Sequence, residues 1–586
     1  MIMSPKVLGR RFRSNHLALL LAIVTWGCEA DFPVDLVLAN GTVVTLDSTA
    51  TTAGAVAIAG GRVVAVAASI EPRWLVTKPR IIGLDGAVVM PALVDHHVHL
   101  FNVGMALLNR RDGGRLAIEL GGVGSLAEVA ALVRAKAAAT PAGTWILGAG
   151  WSQASWGTQD LPTNEVLTRA APRHPVFLAR TDGHAGWVNQ AALTLAGIGR
   201  TTPNPEGGSI VRRSNDEPSG VLLERANELI IGRLPHPSDA DVVAAFRLAT
   251  EALAARGVVE VNDAGPLVFP GVVDLTLNFG RYLELLRRTD SIAPVPLRIN
   301  LMVPAPSRLA DSLLADSGPP AAVSPRIRIT HLKLFADGAL GSRGAALTHP
   351  YADDPATRGV ARMTVDAIAG LTRRGLDHGL GIATHAIGDE AVSRTLEAYE
   401  RVLGERPNLA PGHLRIEHFS YARDADFARA ARLGIVLSIQ SNFNALPADR
   451  PTFGAIRLGA ANEDRVYAWD RLYRLGLRLA EGSDYFALPA EPLAGFAATL
   501  GRRFAVGYSR PDSEARLLAY RMNSTWVGVD GNARAGAIRV GGPADLVVLS
   551  GNPLTLPKSE LAAVRVIATI GEGRVTYSSS REMAPP

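Results

Sequence analysis

Eight apolar, strand-type runs occupy the middle of this chain with helical patterns between them, and that alternation leaves few folds open. The runs are Ala87–Leu100 (AVVMPALVDHHVHL), Gly257–Gly265, Leu297–Val303, Arg326–Gly338, Gly381–Asp389, Leu414–Ser420, Ile435–Asn442 and Leu477–Phe486. Thr364–Leu380 and Glu390–Gly404 space their apolar residues as helices do. Strands alternating with helices build a parallel sheet, and eight such units close into a barrel. The expected fold class is therefore α/β, with a TIM-like (β/α)8 barrel over residues 90–535. The step from the first run to the second is far longer than a normal crossover. A large insertion at about residues 101–255 is expected there, on the face where barrels carry their active sites.

The two ends of the chain resemble each other. Asp35–Asp47 and Ala55–Ala68 read as short alternating strands punctuated by Asn-Gly and Gly-Gly turns, and Gly536–Pro553 and Val564–Tyr577 read the same way. Neither half has enough strands to stand alone. Residues 33–89 and 536–580 are therefore expected to share one small composite β-sandwich domain.

Residues 1–28 have the form of an export signal. Lys6, Arg10, Arg11 and Arg13 precede the apolar stretch Leu17–Trp26, which is too short to span a bilayer. The single cysteine of the protein, Cys28, follows it, as in a lipoprotein-type signal. An ordinary cleaved signal or an uncleaved anchor with an incidental cysteine is the other reading. The expectation is an exported, periplasmic or cell-surface protein, held to a bacterial membrane only by a lipid on Cys28. With no other cysteine, disulfides and thiolate metal sites are excluded. The formal net charge is +5, and four of the excess positive charges lie in the leader. The remainder is nearly neutral without a basic block, so nucleic acid is not expected as a partner.

Strands buried on both faces should be almost wholly apolar, so a polar residue near the end of one needs a reason. The first run ends in His97 and His99, which alternation places on one face, while His96 points the other way. The fourth run carries Lys333, the fifth His385, the sixth His418 and the eighth Asp484. Four imidazoles, an amine and a carboxylate at one mouth point to a metal site. Lysine is rare here, five among sixty basic residues, yet Lys333 sits inside an apolar strand. A neutral lysine amine can take up carbon dioxide as a carbamate and bridge two metals, which arginine cannot. The competing reading pairs Lys333 with a nearby acid such as Asp337. His331, two residues earlier, reads as a core or supporting residue.

The order HxH, Lys, His, His, Asp resembles the amidohydrolase superfamily. Pro175–Leu193 (PVFLARTDGHAGWVNQAAL), Gly207–Glu224, Lys333–Leu347, Thr384–Val392, Arg415–His418 (RIEH) and Glu481–Asp484 (EGSD) are similar to its amidohydrolase-3 branch, which holds YtcJ-like proteins and N-substituted formamide deformylases. The resemblance covers nearly all of the chain after the leader. It implies that His97, His99 and Asp484 hold one divalent metal and His385 and His418 another, with carbamylated Lys333 between them; zinc is the first expectation. It also implies hydrolysis of a non-peptide amide or formamide by metal-activated hydroxide, with Asp484 as the catalytic proton carrier. His184, Asp182 and Asp337 are the expected substrate-facing residues, although Asp182 has a second reading as the brace of a structural turn. Trp151, Trp156 and Trp187 read either as an apolar substrate wall or as core. Three alternatives stay open: a mononuclear deaminase, an ester or lactone hydrolase on the same barrel, and a surface lipoprotein that binds without catalysis. A homodimer is compatible with the sequence.

Overall fold

The computed structural model describes residues 33–47, 52–158, 160–266, 275–315, 318–409, 412–444, 452–468, 471–472, 475, 477–484, 492–493, 536–580 and 583. The expected leader with Cys28 lies outside these residues, as do Tyr485, Phe486 and the stretch 494–535. Among the described residues no helix is long and apolar enough to cross a membrane.

Each of the eight runs matches a strand, the third strand overrunning its run by one residue: β1 Leu93–Val98, β2 Val258–Asp263, β3 Arg298–Pro304, β4 Ile327–Phe335, β5 Gly381–Ala386, β6 Leu414–His418, β7 Val436–Ile439 and β8 Arg478–Glu481. They are parallel neighbours in chain order. The amide of Asp484, just past β8, donates to the carbonyl of His97 over 2.6 Å, and the Ser483 amide donates to the Asp95 carboxylate over 2.9 Å. These bonds draw the last strand to the first and nearly close the barrel. The seam is tight: a Cβ on Gly482 would lie 2.5 Å from the His97 backbone nitrogen.

Helices begin where the sequence offers caps. Thr364 accepts from the Ala367 amide at the start of Val365–Asp377, and Ser238 accepts from the Asp241 amide at the start of Asp239–Ala254. That second helix packs on Leu100–Arg111 at Gly104, where a Cβ would meet the Ala245 carbonyl oxygen at 2.1 Å.

Between β1 and β2 lies a six-stranded mixed sheet, in the order Gly208–Arg212, Pro218–Glu224, Ala185–Val188, Val176–Arg180, Ile146–Trp151 and Ile118–Glu119. Trp151 and Trp187 are fully buried in its core, their indole N–H groups bonded to the carbonyls of Leu178 and Thr163. Trp156 stacks on Trp151 with centroids 5.8 Å apart. The tryptophan cluster is thus packing inside this insertion, and the substrate-wall reading falls away.

Strands from both ends of the chain join one continuous sheet, in which Leu546–Leu549 pairs antiparallel with Val88–Pro91. One face buries Leu36, Leu38, Val56, Val548 and Ile570 together. On the other face Val88, Met90, Val547 and Leu549 pack against Val259 of β2, so alternation alone divides the sheet between its own core and the barrel.

Candidate active site

The polar residues of the strand ends meet in one place. His97, at the end of β1, is fully buried, and its Nε2 lies 3.3 Å from the Lys333 Nζ of β4 and 3.5 Å from Asp484 Oδ1. His99 Nε2 is 3.3 Å from the same carboxylate, and His418 Nδ1 is 3.7 Å from its other oxygen. The His418 ring stands 4.9 Å from that of His97 and 4.5 Å from that of His385, centroid to centroid. His96 faces away, as alternation requires, with Nδ1 bonded to the Asn262 side chain at 2.9 Å.

Backbone geometry completes the set. The register pairs His385 with Glu417 and Ala386 with His418, so in regular strand Glu417 and His418 would face opposite ways. His418 instead takes a φ of 76°, with 47° at Phe419, which swings its ring back toward the mouth that Glu417 already faces. Asp484 has a φ of 49°. Left-handed backbone at non-glycine residues is costly and concentrates at functional sites.

A supporting layer fixes which nitrogen of each imidazole is free. His97 Nδ1 donates to Glu417, whose carboxylate is gripped by Arg415; Arg415 also donates to the His96 carbonyl at 2.7 Å. His99 Nδ1 donates to the Gly265 carbonyl, leaving Nε2 toward Asp484. His418 Nδ1 pairs with Gln440 Oε1 at 2.8 Å. Such partners set the tautomer and aim of a metal-binding histidine.

Electrostatics agree with a set of neutral imidazoles. Burial, reinforced by Lys333, lowers His97 to about 4, and burial lowers His418 to about 3 against the pull of Asp484. Burial and His418 push His385 well below the usual range. Burial brings Lys333 down to about 8, which puts its neutral, nucleophilic amine within reach near neutral pH. Glu417 is held well below the carboxylate range: burial opposes this, but Arg415, His97 and Lys333 prevail. Asp484 is likewise held low, against burial, by the neighbouring His97, His99 and His418. Neutral imidazoles around an ionised carboxylate are the donor forms a divalent metal needs, and one ligand atom each from His97, His418 and Asp484 lie within 4.8 Å of one another. The residues present fit such an ion.

The other expected site residues divide. His184 comes in from the insertion, its ring 5.0 Å from that of His385 and its Nδ1 2.9 Å from Glu224. Burial works against its charge, but Glu224 and Asp182 outweigh it and raise its pKa. Asp182 accepts from the His184 amide at 3.1 Å and from Arg180, so it braces the turn. Asp337 lies at the base of the site, beside His385. It is fully buried and accepts from the amides of Ala346 (2.9 Å), Ile387 (3.0 Å) and Gly388 (2.8 Å), tying the loops after β4 and β5 together, and its Oδ1 lies 3.5 Å from His385 Nε2, so it backs the site from beneath. It does not neutralise Lys333, whose near neighbour is His97. His331 is buried below Lys333 and bonded to the Thr330 hydroxyl at 2.9 Å.

Sequence reasoning passed over Arg415, Glu417, Gln440, Glu224 and Arg362. The signal for the first two was present, since two charged residues alternate within the buried strand Leu414–His418. Glu224 and Arg362 carried no local signal.

Comparisons with known proteins agree with this geometry. A family model described as "Amidohydrolase family" matches residues 80–577. The chain is 31% identical over 509 residues to the amidohydrolase-type protein YtcJ of Bacillus subtilis (strain 168), covering 85% of this chain and 90% of that one. It is 26% identical over 556 residues to the N-substituted formamide deformylase of Arthrobacter pascens, covering 93% and 98%. Among solved structures, an uncharacterized metal-dependent hydrolase of Pyrococcus horikoshii OT3 superposes with a TM-score of 0.65 at 26% identity, over 89% of this chain and 99% of that one. The strand-end cluster, its supporting partners and the matched length lead to one statement: the chain belongs to the amidohydrolase family.

Proposed function

We propose that this protein hydrolyses a non-peptide C–N bond, in an amide or N-substituted formamide, at a two-zinc centre. His97, His99 and Asp484 would hold one ion and His385 and His418 the other, and Lys333, carbamylated on Nζ, would supply a carboxylate to both. The observation that carries the reading is the convergence of His97, His418 and Asp484 within 4.8 Å, beside a buried lysine amine. The likeness to a formamide deformylase supports the bond type. When bound, the ions supply Lewis acidity and bring the pKa of water down to about 7.

The chain's own groups do the rest. Asp484, ionised and 12% exposed on its side chain, takes a proton from the attacking water and returns it to the departing nitrogen as the C–N bond breaks. Glu417, Gln440 and the Gly265 carbonyl keep His97, His418 and His99 aimed. His184 faces the mouth from the insertion and orients the substrate carbonyl.

Elemental analysis of protein purified with bicarbonate and without chelators tests this reading, together with Lys333→Ala and a panel of N-substituted formamides, acyl-amino acids and cyclic amides. Two zinc ions per chain, lost in Lys333→Ala, with turnover of amides, is the expected result. One metal untouched by the substitution would replace the reading with a mononuclear deaminase or ester hydrolase. No metal and no turnover would leave a binding protein.

A further inference from the structure

We propose that Glu224 is a positioning residue of this active site, acting through His184, and that the insertion between β1 and β2 is therefore part of the catalytic machinery. The proposal rests on the reading above that His184 meets the substrate. Glu224 ends the insertion strand Pro218–Glu224, and its side chain is fully buried. One carboxylate oxygen accepts from His184 Nδ1 at 2.9 Å and from Arg362 at 3.1 Å. Arg362 belongs to the barrel side: its amide donates to the Ala336 carbonyl just past β4, and its guanidinium lies 5.2 Å from the centre of the Phe335 ring. Phe335 in turn faces the His385 ring at 5.6 Å.

Three further features show that this seat is built. Glu224 has a φ of 51°, a left-handed conformation that a non-glycine residue adopts at a cost. Its second oxygen, Oε1, is buried and presses on the loop after β4. A Cβ on Gly338 would lie 1.7 Å from that oxygen and one on Gly344 would lie 2.2 Å away, so any side chain at either position evicts the carboxylate. Finally, accepting the Nδ1 proton leaves Nε2 as the only free nitrogen of an imidazole that already packs against His385. Glu224 thus does for His184 what Glu417 does for His97, but across a module boundary, with the barrel loop as its socket.

The test uses the metal-loaded enzyme, with N-butylformamide as probe. Glu224→Ala and His184→Ala are each expected to lower kcat/KM about tenfold to a hundredfold, and the double variant to fall no further than the worse single one, because both remove one function. Glu224→Gln, which keeps an acceptor for Nδ1, is expected to recover most of the loss. Gly344→Ala, which displaces the carboxylate from the barrel side, is expected to reproduce Glu224→Ala, and metal content is expected to stay unchanged throughout. Additive losses in the double variant, or a Glu224→Gln defect as deep as that of Glu224→Ala, would overturn the proposal. A readout without turnover separates this failure from failure of the amide reading. In the ¹⁵N imidazole spectrum, with the His184 signals assigned by their loss in His184→Ala, Nδ1 is expected protonated in the wild type and Glu224→Gln and altered in Glu224→Ala. An unprotonated Nδ1 in the wild type overturns the positioning role, whatever the substrate.

Discussion

Glu417 and His97 hold each other from β6 to β1: the carboxylate takes the Nδ1 proton of the imidazole, and both side chains are fully buried. The next residue on β6 is His418, so two consecutive residues of one strand serve the site in different ways, one by aiming a histidine and the other by lending its own ring.

Replacing Glu417 separates aim from stability. Glu417→Gln keeps an acceptor for His97 but leaves the buried Arg415 guanidinium without its anion, and such a change costs about 3–5 kcal/mol. Glu417→Ala is expected also to lower metal affinity by about 10- to 100-fold, the usual consequence of removing a histidine's orienting partner. Denaturant melts and a metal-competition titration read the two effects, and a Glu417→Ala protein with wild-type affinity would contradict the orienting role.

In the proposed reaction Asp484 carries the proton, so Asp484→Asn is expected to keep the fold and lower kcat by at least about 100-fold. Steady-state kinetics beside a thermal melt measure this. Retained turnover would remove Asp484 from the proton path.

Acid sensitivity has an identifiable source in His331. Burial and Arg415 lower its pKa from 6.5 to about 3. Between those values the unfolded chain binds a proton that the folded chain refuses, so the stability associated with neutral His331 is lost as pH falls from 6.5 toward 3. The slope is about 1.4 kcal/mol per pH unit. Urea melts at stepped pH on metal-free protein are expected to show a shallower acid limb in His331→Leu than in wild type; parallel limbs would refute the assignment.

Arg298 ties the barrel to the terminal sheet. From β3 it bonds Glu260 at 2.9 Å and Asp545 at 2.7 Å, and Asp545 immediately precedes the terminal-sheet strand Leu546–Leu549. Arg298→Met leaves both carboxylates without that partner in a mostly buried seam, with an expected loss of about 3–5 kcal/mol. A denaturation midpoint unchanged from wild type would show the seam to be held by its apolar contacts alone.

Much of this protein was legible in its linear order. Seven of the eight barrel strands fall within the apolar runs and the other, β3, overruns its run by one residue, and His97, His99, Lys333, His385, His418 and Asp484 come together near the strand ends. The physical reason is economy: a strand buried on both faces tolerates so few polar residues that each one in the sequence marks a place of use. Other features depended on contacts that no periodicity encodes. His418 reaches the mouth because its backbone leaves the strand conformation at a φ of 76°. Asp337 spends its carboxylate on three backbone amides from two loops while standing 3.5 Å from His385 Nε2, an arrangement that its place in the sequence does not encode. Glu417 finds His97 across the barrel, and His184 and Glu224 arrive from a separate sheet to settle on loop glycines of the barrel. Alternation and burial act along one strand and can be read from it, whereas the partner of a buried charge is chosen by which distant segments the closed barrel brings within hydrogen-bonding reach.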